Sequence, residues 1–329
     1  MYDGFIIRGF ENDANIYRNG LRSRCFRYET ANLEQIEVLK GPAAVLYDRI
    51  EPGGLVNLVS KRPLEQPYYA LEQQFGSYDL YRTVAEATGP ITSDGSLLYR
   101  FDLAYQSNNS FLDFVDLERV FVSPSLTWRL SERTEINLNV EYQDDTMQDE
   151  SGIPAIGRRP APVPINRYFQ DDVAVDETDR VLVELSWSHR FSEHWALRNR
   201  FQANLTDYNQ TILTPAGFLD DRTLDRGLWD VGATRDYYAT NLDLTGHVEA
   251  YGIAHDLLAG VDYWRYNEDF LGFCCNPPEA AVPPIDIFAS SAEFVGTDLR
   301  RIYASDSLLG IKLRSIGPKF WVSKNLLGC

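Results

Sequence analysis

The stretch Leu97-Leu98-Tyr99-Arg100-Phe101-Asp102-Leu103-Ala104-Tyr105-Gln106 has apolar or aromatic side chains at 97, 99, 101, 103 and 105, and Arg100, Asp102 and Gln106 on the other parity. A period of two marks an extended strand whose faces meet different surroundings, because successive Cβ atoms point to opposite sides. The pattern returns at Ile136, Leu138, Val140 and Tyr142 against Asn137, Asn139, Glu141 and Gln143, and again through Val181 to Trp187, Leu197 to Leu205, and Leu242 to Val248. These runs are about ten residues long, nearer the length that crosses a bilayer at a tilt than the five or six common in soluble sheets. Their connections alternate from the second strand onward. Residues 92–95, 131–133, 192–194 and 251–254 read as tight turns, whereas 108–117, 146–179, 209–235 and 267–297 read as long loops. A soluble sandwich has no reason to sort its loops, but an outer-membrane barrel puts short turns on the periplasmic side and long loops outside. In such a barrel the polar parity faces a wet lumen, so Arg100, Asp102, Arg129, Glu141, Arg198, Arg200 and Asp243 are expected to point inward. Trp128, Tyr142, Trp187, Trp195, Tyr251 and Tyr263 lie near strand ends, where an aromatic girdle or ordinary cross-strand packing would use them.

The 329 residues carry 31 basic and 48 acidic side chains, a formal charge of −17, which argues against a nucleic-acid partner. Apolar residues at 44% suffice for a folded core, and the 13% of aromatics favours strands and water–lipid boundaries. No run approaches 18 consecutive apolar residues, so any membrane role falls to strands. Cys25, Cys274, Cys275 and Cys329 lack CxxC spacing and only four histidines accompany them, so neither a metal site nor a disulfide framework is expected. The chain has no phosphate cradle, no GxSxG, no HExxH and no calcium-loop pattern. His189 and His194 flank a turn, and the Asp144–Asp145, Asp171–Asp172 and Asp220–Asp221 pairs read as solvated loop carboxylates. The expectation is a protein that is not an enzyme and holds no cofactor.

Residues 1–63 have a different texture, apolar and glycine-rich with little period, and suggest a compact α/β region. At Ile36-Glu37-Val38-Leu39-Lys40-Gly41-Pro42 a strand runs into a turn and then a short helical or looped piece, followed by Pro52-Gly53-Gly54-Leu55-Val56-Asn57-Leu58-Val59-Ser60-Lys61-Arg62-Pro63. This text resembles the plug of TonB-dependent siderophore receptors, whose pattern IEVLKGPxxxLYGxGxPGGxINxVxKRP it follows at nearly every position. Ile7-Arg8-Gly9-Phe10 and Tyr17-Arg18-Asn19-Gly20-Leu21 are similar to the same plug's IRGF and YxDGL segments. Phe114 to Arg119, Pro124 to Trp128, Gly152 to Ala155, Gly260 to Tyr263 and Pro283 to Phe288 resemble the barrel of the ferrichrome-type branch.

The resemblance implies a mostly β chain: a partial plug over 1–63, about ten strands of an incomplete outer-membrane β-barrel over 68–300, and an atypical tail over 301–329 where the alternation fades. The family's barrel has 22 strands. It implies a bacterial outer-membrane receptor that binds a ferric siderophore, of hydroxamate type, and imports it with energy from the TonB complex. Its other partner is outer-membrane lipid, and the ferric siderophore is ligand rather than cofactor. Arg8 occupies the IRGF arginine, which the resemblance places near ligand, although a plug salt bridge would also use it. Tyr28, Trp264 and Tyr266 are further candidates for an aromatic pocket, with packing or girdle roles as the alternative. The text begins inside the plug pattern and lacks the family's last strands, so a fragment without transport activity of its own is expected. Asp48 and Ile50 replace two family glycines, and Ile does not tolerate a left-handed backbone, so that loop is expected to be rebuilt. Two other classes stay open at this point. One is a passive porin-like channel, against which the plug text speaks; the other is a soluble β-rich binding module, against which the loop sorting speaks.

Overall fold

The computed structural model describes residues 5–11, 16–24, 27–40, 53–150, 152–171, 173–250, 252–273, 282–289 and 309–325. The loop containing Asp48 and Ile50, the four cysteines and Tyr251 lie outside them. In the N-terminal region, β1 (Ile6–Ile7) and β2 (Phe10–Glu11) form a hairpin. β3 (Ile16–Arg18), β4 (Leu21–Arg22), β5 (Leu33–Leu39) and β6 (Leu55–Ser60) form a mixed sheet of order β4-β3-β6-β5, with β3 and β6 parallel. Among the described residues this region is built of strands alone, and the short helical or looped piece expected after Gly41-Pro42 lies outside them. Ile7, Ile16, Val56 and Leu58 form its core, with Tyr28 and Leu33 packed against them.

The remainder is one antiparallel meander: β7 (Tyr68–Gly76), β8 (Leu80–Pro90), β9 (Leu97–Asn109), β10 (Asp116–Ser131), β11 (Thr134–Gln148), β14 (Val175–Arg190), β15 (Trp195–Phe218), β16 (Thr223–Ala250), β17 (Ile253–Phe273) and β19 (Leu309–Asn325), each paired with the next. The β12 (Ala155–Ile156) and β13 (Arg159–Pro160) hairpin lies in the loop before β14, and β18 (Ile285–Asp286) pairs with the outer end of β16. The fading of alternation after residue 301 does not end the sheet, because β19 runs in register along β17. Nor is 209–235 a loop. β15 and β16 continue as one hairpin to a turn at 219–222. Among the described strands the sheet stays open, and β7 and β19 are its edges.

The sheet is inside-out relative to a soluble protein. Arg100, Asp102, Ser123, Thr127, Glu141, Gln202 and Asp243 are buried on the face toward the plug, while Phe101, Leu126, Trp128, Tyr142, Leu185, Leu205 and Tyr263 are exposed on the other. Also on the inward parity, Arg129 is half-buried and Arg198 exposed. A face that presents leucine and aromatics outward over many neighbouring strands is the polarity of a sheet whose outer solvent is lipid. At the loop-rich outer end, Ala161, Phe169, Leu224, Ile285 and Ile287 form a separate apolar cluster that joins the 149–174 loop to the projecting hairpin and β18.

Candidate functional site

Ion pairs join the plug to the wall at every level. Arg18 bonds Glu141 of β11 and lies 3.8 Å from Glu184 of β14. Asn32 donates to Glu141 (2.7 Å) and Asn19 to Glu184 (3.0 Å). Lys61 reaches Glu86 at 2.7 Å, and Glu86 also accepts from Arg100. Near the outer end, Arg27 pairs with Asp176, the second residue of β14. Glu29 accepts from Arg82 at 2.5 Å and lies 3.7 Å from Arg119. Burial, the largest influence on Glu29, pushes its carboxyl pKa up, but the Arg82 and Arg119 cations and the Ala31 N–H outweigh it and hold the net value below the ordinary one.

The Asn19–Gly20 turn between β3 and β4 shows why the plug needs its glycine. Gly20 has φ +81°, and a Cβ there would stand 2.4 Å from the Arg200 guanidinium, which donates to the Asn19 carbonyl at 2.8 Å. Past this turn the plug chain follows the wall. Gln202 donates to the Ser23 hydroxyl (2.8 Å) and Asn204 to the Arg24 carbonyl (2.6 Å). Arg24 then places its guanidinium 4.5 Å from the ring centre of Tyr266. Tyr266 faces Tyr237 in register and Trp264 faces Ala239, so Tyr237, Trp264 and Tyr266 pack together on the inner face of β16 and β17. One step outward, Arg235 lies 5.2 Å over Tyr208 and 2.6 Å from Glu268. The Tyr237 hydroxyl is buried and meets no hydrogen-bond partner among the described residues. Tyr208, Tyr237 and Tyr266 are buried, so what this patch presents to a ligand with an apolar body and polar oxygens is the exposed Arg24 guanidinium and the half-buried Trp264 ring.

Trp264 and Tyr266 were expected where a strand enters a loop. They sit mid-strand, because β17 continues to Phe273. Tyr28 is half-buried against the plug core. Arg8 and Gly9 form the tip of the β1–β2 hairpin with φ of +55° and +83°, the primed turn that needs positive φ at both central positions. For Arg8 that conformation costs roughly 1–2 kcal/mol. Its side chain is exposed and has no ion pair with another described residue. Ile7 anchors this hairpin to the cluster that holds Tyr28, next to the Arg27 that reaches the outer end of β14. Sequence reading missed Arg24, Tyr208, Arg235 and Tyr237. The signal for the last was its parity, since Tyr238 beside it faces outward, but the register had to fix which of the two is which.

A family profile, TonB-dependent Receptor Plug Domain, matches residues 1–55. The metal-pseudopaline receptor of Pseudomonas aeruginosa is 33% identical over 252 residues, 74% of this chain and 35% of that receptor. The ferrioxamine B receptor of Salmonella typhimurium is 28% identical over 305 residues, 87% of this chain and 42% of that one. The crystal structure of the outer-membrane ferripyoverdine receptor of Pseudomonas aeruginosa, bound to ferripyoverdine, superposes with a TM-score of 0.81 at 20% identity, over 96% of this chain and 43% of that one. The chain thus spans about two fifths of the length of the curated relatives it matches. Its inverted sheet, its ion-paired plug and this kinship place the chain in the family of TonB-dependent siderophore receptors, proteins of the Gram-negative outer membrane.

Proposed function

We propose that this chain forms the plug (1–63) and adjoining barrel wall (68–300) of a receptor that binds a ferric siderophore, of hydroxamate type, and imports it with energy from TonB. It makes and breaks no covalent bond in its ligand, is not an enzyme and needs no resident cofactor. The observation that carries the reading is the patch of Tyr237, Trp264 and Tyr266 under the Arg24 guanidinium, on the inner wall of a sheet whose outer face is apolar. A passive channel has no use for a plug fixed to its wall by ion pairs, and a soluble binding module has no use for outward leucines and tryptophans. Arg8, exposed at its hairpin tip, is assigned to the same ligand, whereas Tyr28 serves packing.

Titrating the detergent-refolded chain with ferrioxamine B tests this by quenching of tryptophan fluorescence. Saturable quenching is expected. Trp264→Ala and Arg24→Ala should each weaken it about tenfold or more, the magnitude of one lost buried aromatic or cationic contact, and Arg8→Ala should weaken it less. Saturable quenching by no ferric siderophore among ferrioxamine B, ferrichrome and a ferric catecholate would refute the reading.

A further inference from the structure

Two cavities, of about 210 and 590 Å³, adjoin along the wall of β10, β11, β14 and β15; the smaller lies against the plug, and the larger, with no plug residue in its lining, lies at the turns and reaches β16 and β17. They share Glu135, Ser188 and Arg198, so together they form one gap that descends from Arg18 and Asn19 of the plug to the turns at the periplasmic end. The sequence explains why the gap is there. On the β8 and β9 side the inward residues are large and knotted to the plug through Glu86, Arg100, Asp102 and Lys61. On this side the plug is held by Glu141, Glu184 and Arg200, and between those contacts the inward residues are Ser125, Asn137, Asn139, Ser186 and Ser188, none of which hydrogen-bonds a described plug residue.

The charge of the gap runs against that of the chain. Its upper cavity is lined by five basic and two acidic side chains and its lower one by four and three, with Arg198 and Glu135 common to both. That leaves eight cations against four carboxylates, but Arg18, Lys61, Arg62, Arg129 and Arg200 are each ion-paired with a carboxylate, so the cations without one among the described residues are Arg133, Arg190 and Arg198, against Glu132. The carboxylates are also largely committed. Glu135 is engaged by Arg62 and Arg129, Glu184 by Arg18 and Asn19, and Asp243 by Arg200. Arg198 is not. Directly opposite Ser188 in register, and beside an Asp243 that Arg200 has taken, it makes no hydrogen bond or ion pair with any described residue. A polar cleft lined by one sign of charge concentrates ions of the other sign.

We propose that this gap is an anion-selecting passage along the β10, β11, β14 and β15 wall, with the Arg198 guanidinium as its ligand contact. Its use as a transport route rests on the receptor reading. It narrows that reading to ferric chelates that carry net negative charge or free carboxylates on their way inward. At about 210 Å³ the upper cavity is smaller than the 300–1,000 Å³ of ordinary ligand pockets, so passage requires the plug to yield where Arg18 grips Glu141 and Glu184.

The test needs no siderophore. In the full chain with its four cysteines replaced by serine, Ser188→Cys is labelled with the anionic 2-sulfonatoethyl and the cationic 2-(trimethylammonio)ethyl methanethiosulfonates, each rate normalised to that with free mercaptoethanol. We expect the anionic reagent to be favoured about tenfold at low salt, Arg198→Ala to remove most of that preference, and Arg198→Lys to retain it. A ratio near or below one, a ratio indifferent to Arg198→Ala, or failure of both reagents to label the folded protein would overturn the proposal. Should Ser188→Cys not reach the β-sheet circular-dichroism spectrum of the parent, Ser186→Cys, one inward position along β14, reads the same gap. Because the outer patch is assayed by ligand quenching and the gap by reagent charge, either can fail while the other stands.

Discussion

Glu29 shows how one side chain carries both stability and its pH dependence. It is 3% exposed, caps the Thr30 and Ala31 N–H groups, and faces Arg82 and Arg119 from the wall. Glu29→Gln leaves two guanidiniums facing a neutral amide and should cost about 3 kcal/mol, read as a lower urea midpoint at pH 7. The folded carboxyl titrates below the unfolded value of 4.5, so its contribution is complete above pH 4.5 and drains away as pH falls through the depressed folded value. The midpoints of parent and variant should therefore stay apart from pH 5 to 8 and converge only as pH falls through the depressed folded value. Gly54 makes a harsher case. Its φ is +140°, and a Cβ would lie 2.3 Å from the Leu39 carbonyl oxygen across the β5–β6 pair. Gly54→Ala should open the plug sheet and expose it to trypsin while the wall strands stay protected. The plug motif made this glycine legible in the sequence, as it did Gly20. It could not show that the reason at Gly20 is an arginine 180 residues away, because a contact of that kind exists only once the sheet has wrapped the plug.

Among the elements, legibility followed the solvent. β9, β10, β11 and β14 have lipid on one face and a polar lumen on the other, and the contrast wrote itself into the sequence as period two. Residues 209–235 read as a loop because β15 and β16 pack there against the 149–174 and 282–289 segments instead of turning one parity to lipid. Leu213 and Leu228 are buried under the neighbouring loop near Val173 and Val282, while Thr211 and Asp230 hydrogen-bond each other across the hairpin. With protein and water on both sides, no parity is favoured and the alternation vanishes. The two parities should answer oppositely to one charge. Leu185→Lys puts an ammonium on the lipid face of β14, worth about 2–4 kcal/mol against insertion, whereas Ser186→Lys points the same group into the lumen. Assayed as protein that resists urea extraction from liposomes, the first should fall well below the parent and the second should match it. Equal losses would mean that both faces see the same solvent.

At the scale of the whole molecule, the open sheet is the decisive feature. Each of β8 to β17 on its path has two neighbours, but among the described strands β7 and β19 have one, so each has a row of N–H and C=O groups that no described strand meets. In hydrocarbon each such group costs several kcal/mol, and nine residues of β7 and seventeen of β19 carry too many for lipid to accept. The described strands therefore make a wall and not a vessel, and the proposed receptor would need further strands to satisfy the two edges. Hydrogen–deuterium exchange on the detergent-refolded chain locates the deficit directly. Amides of β10, β11 and β14, paired on both sides and backed by plug ion pairs, should be the slowest, while half of those in β7 and β19 should exchange at the rate of exposed loops. Liposomes carrying the chain alone should then accumulate no ferric siderophore. If β7 and β19 proved as protected as β11, the edges would have found partners in each other or in a second chain, and the sealed state that import demands would be available to this polypeptide after all.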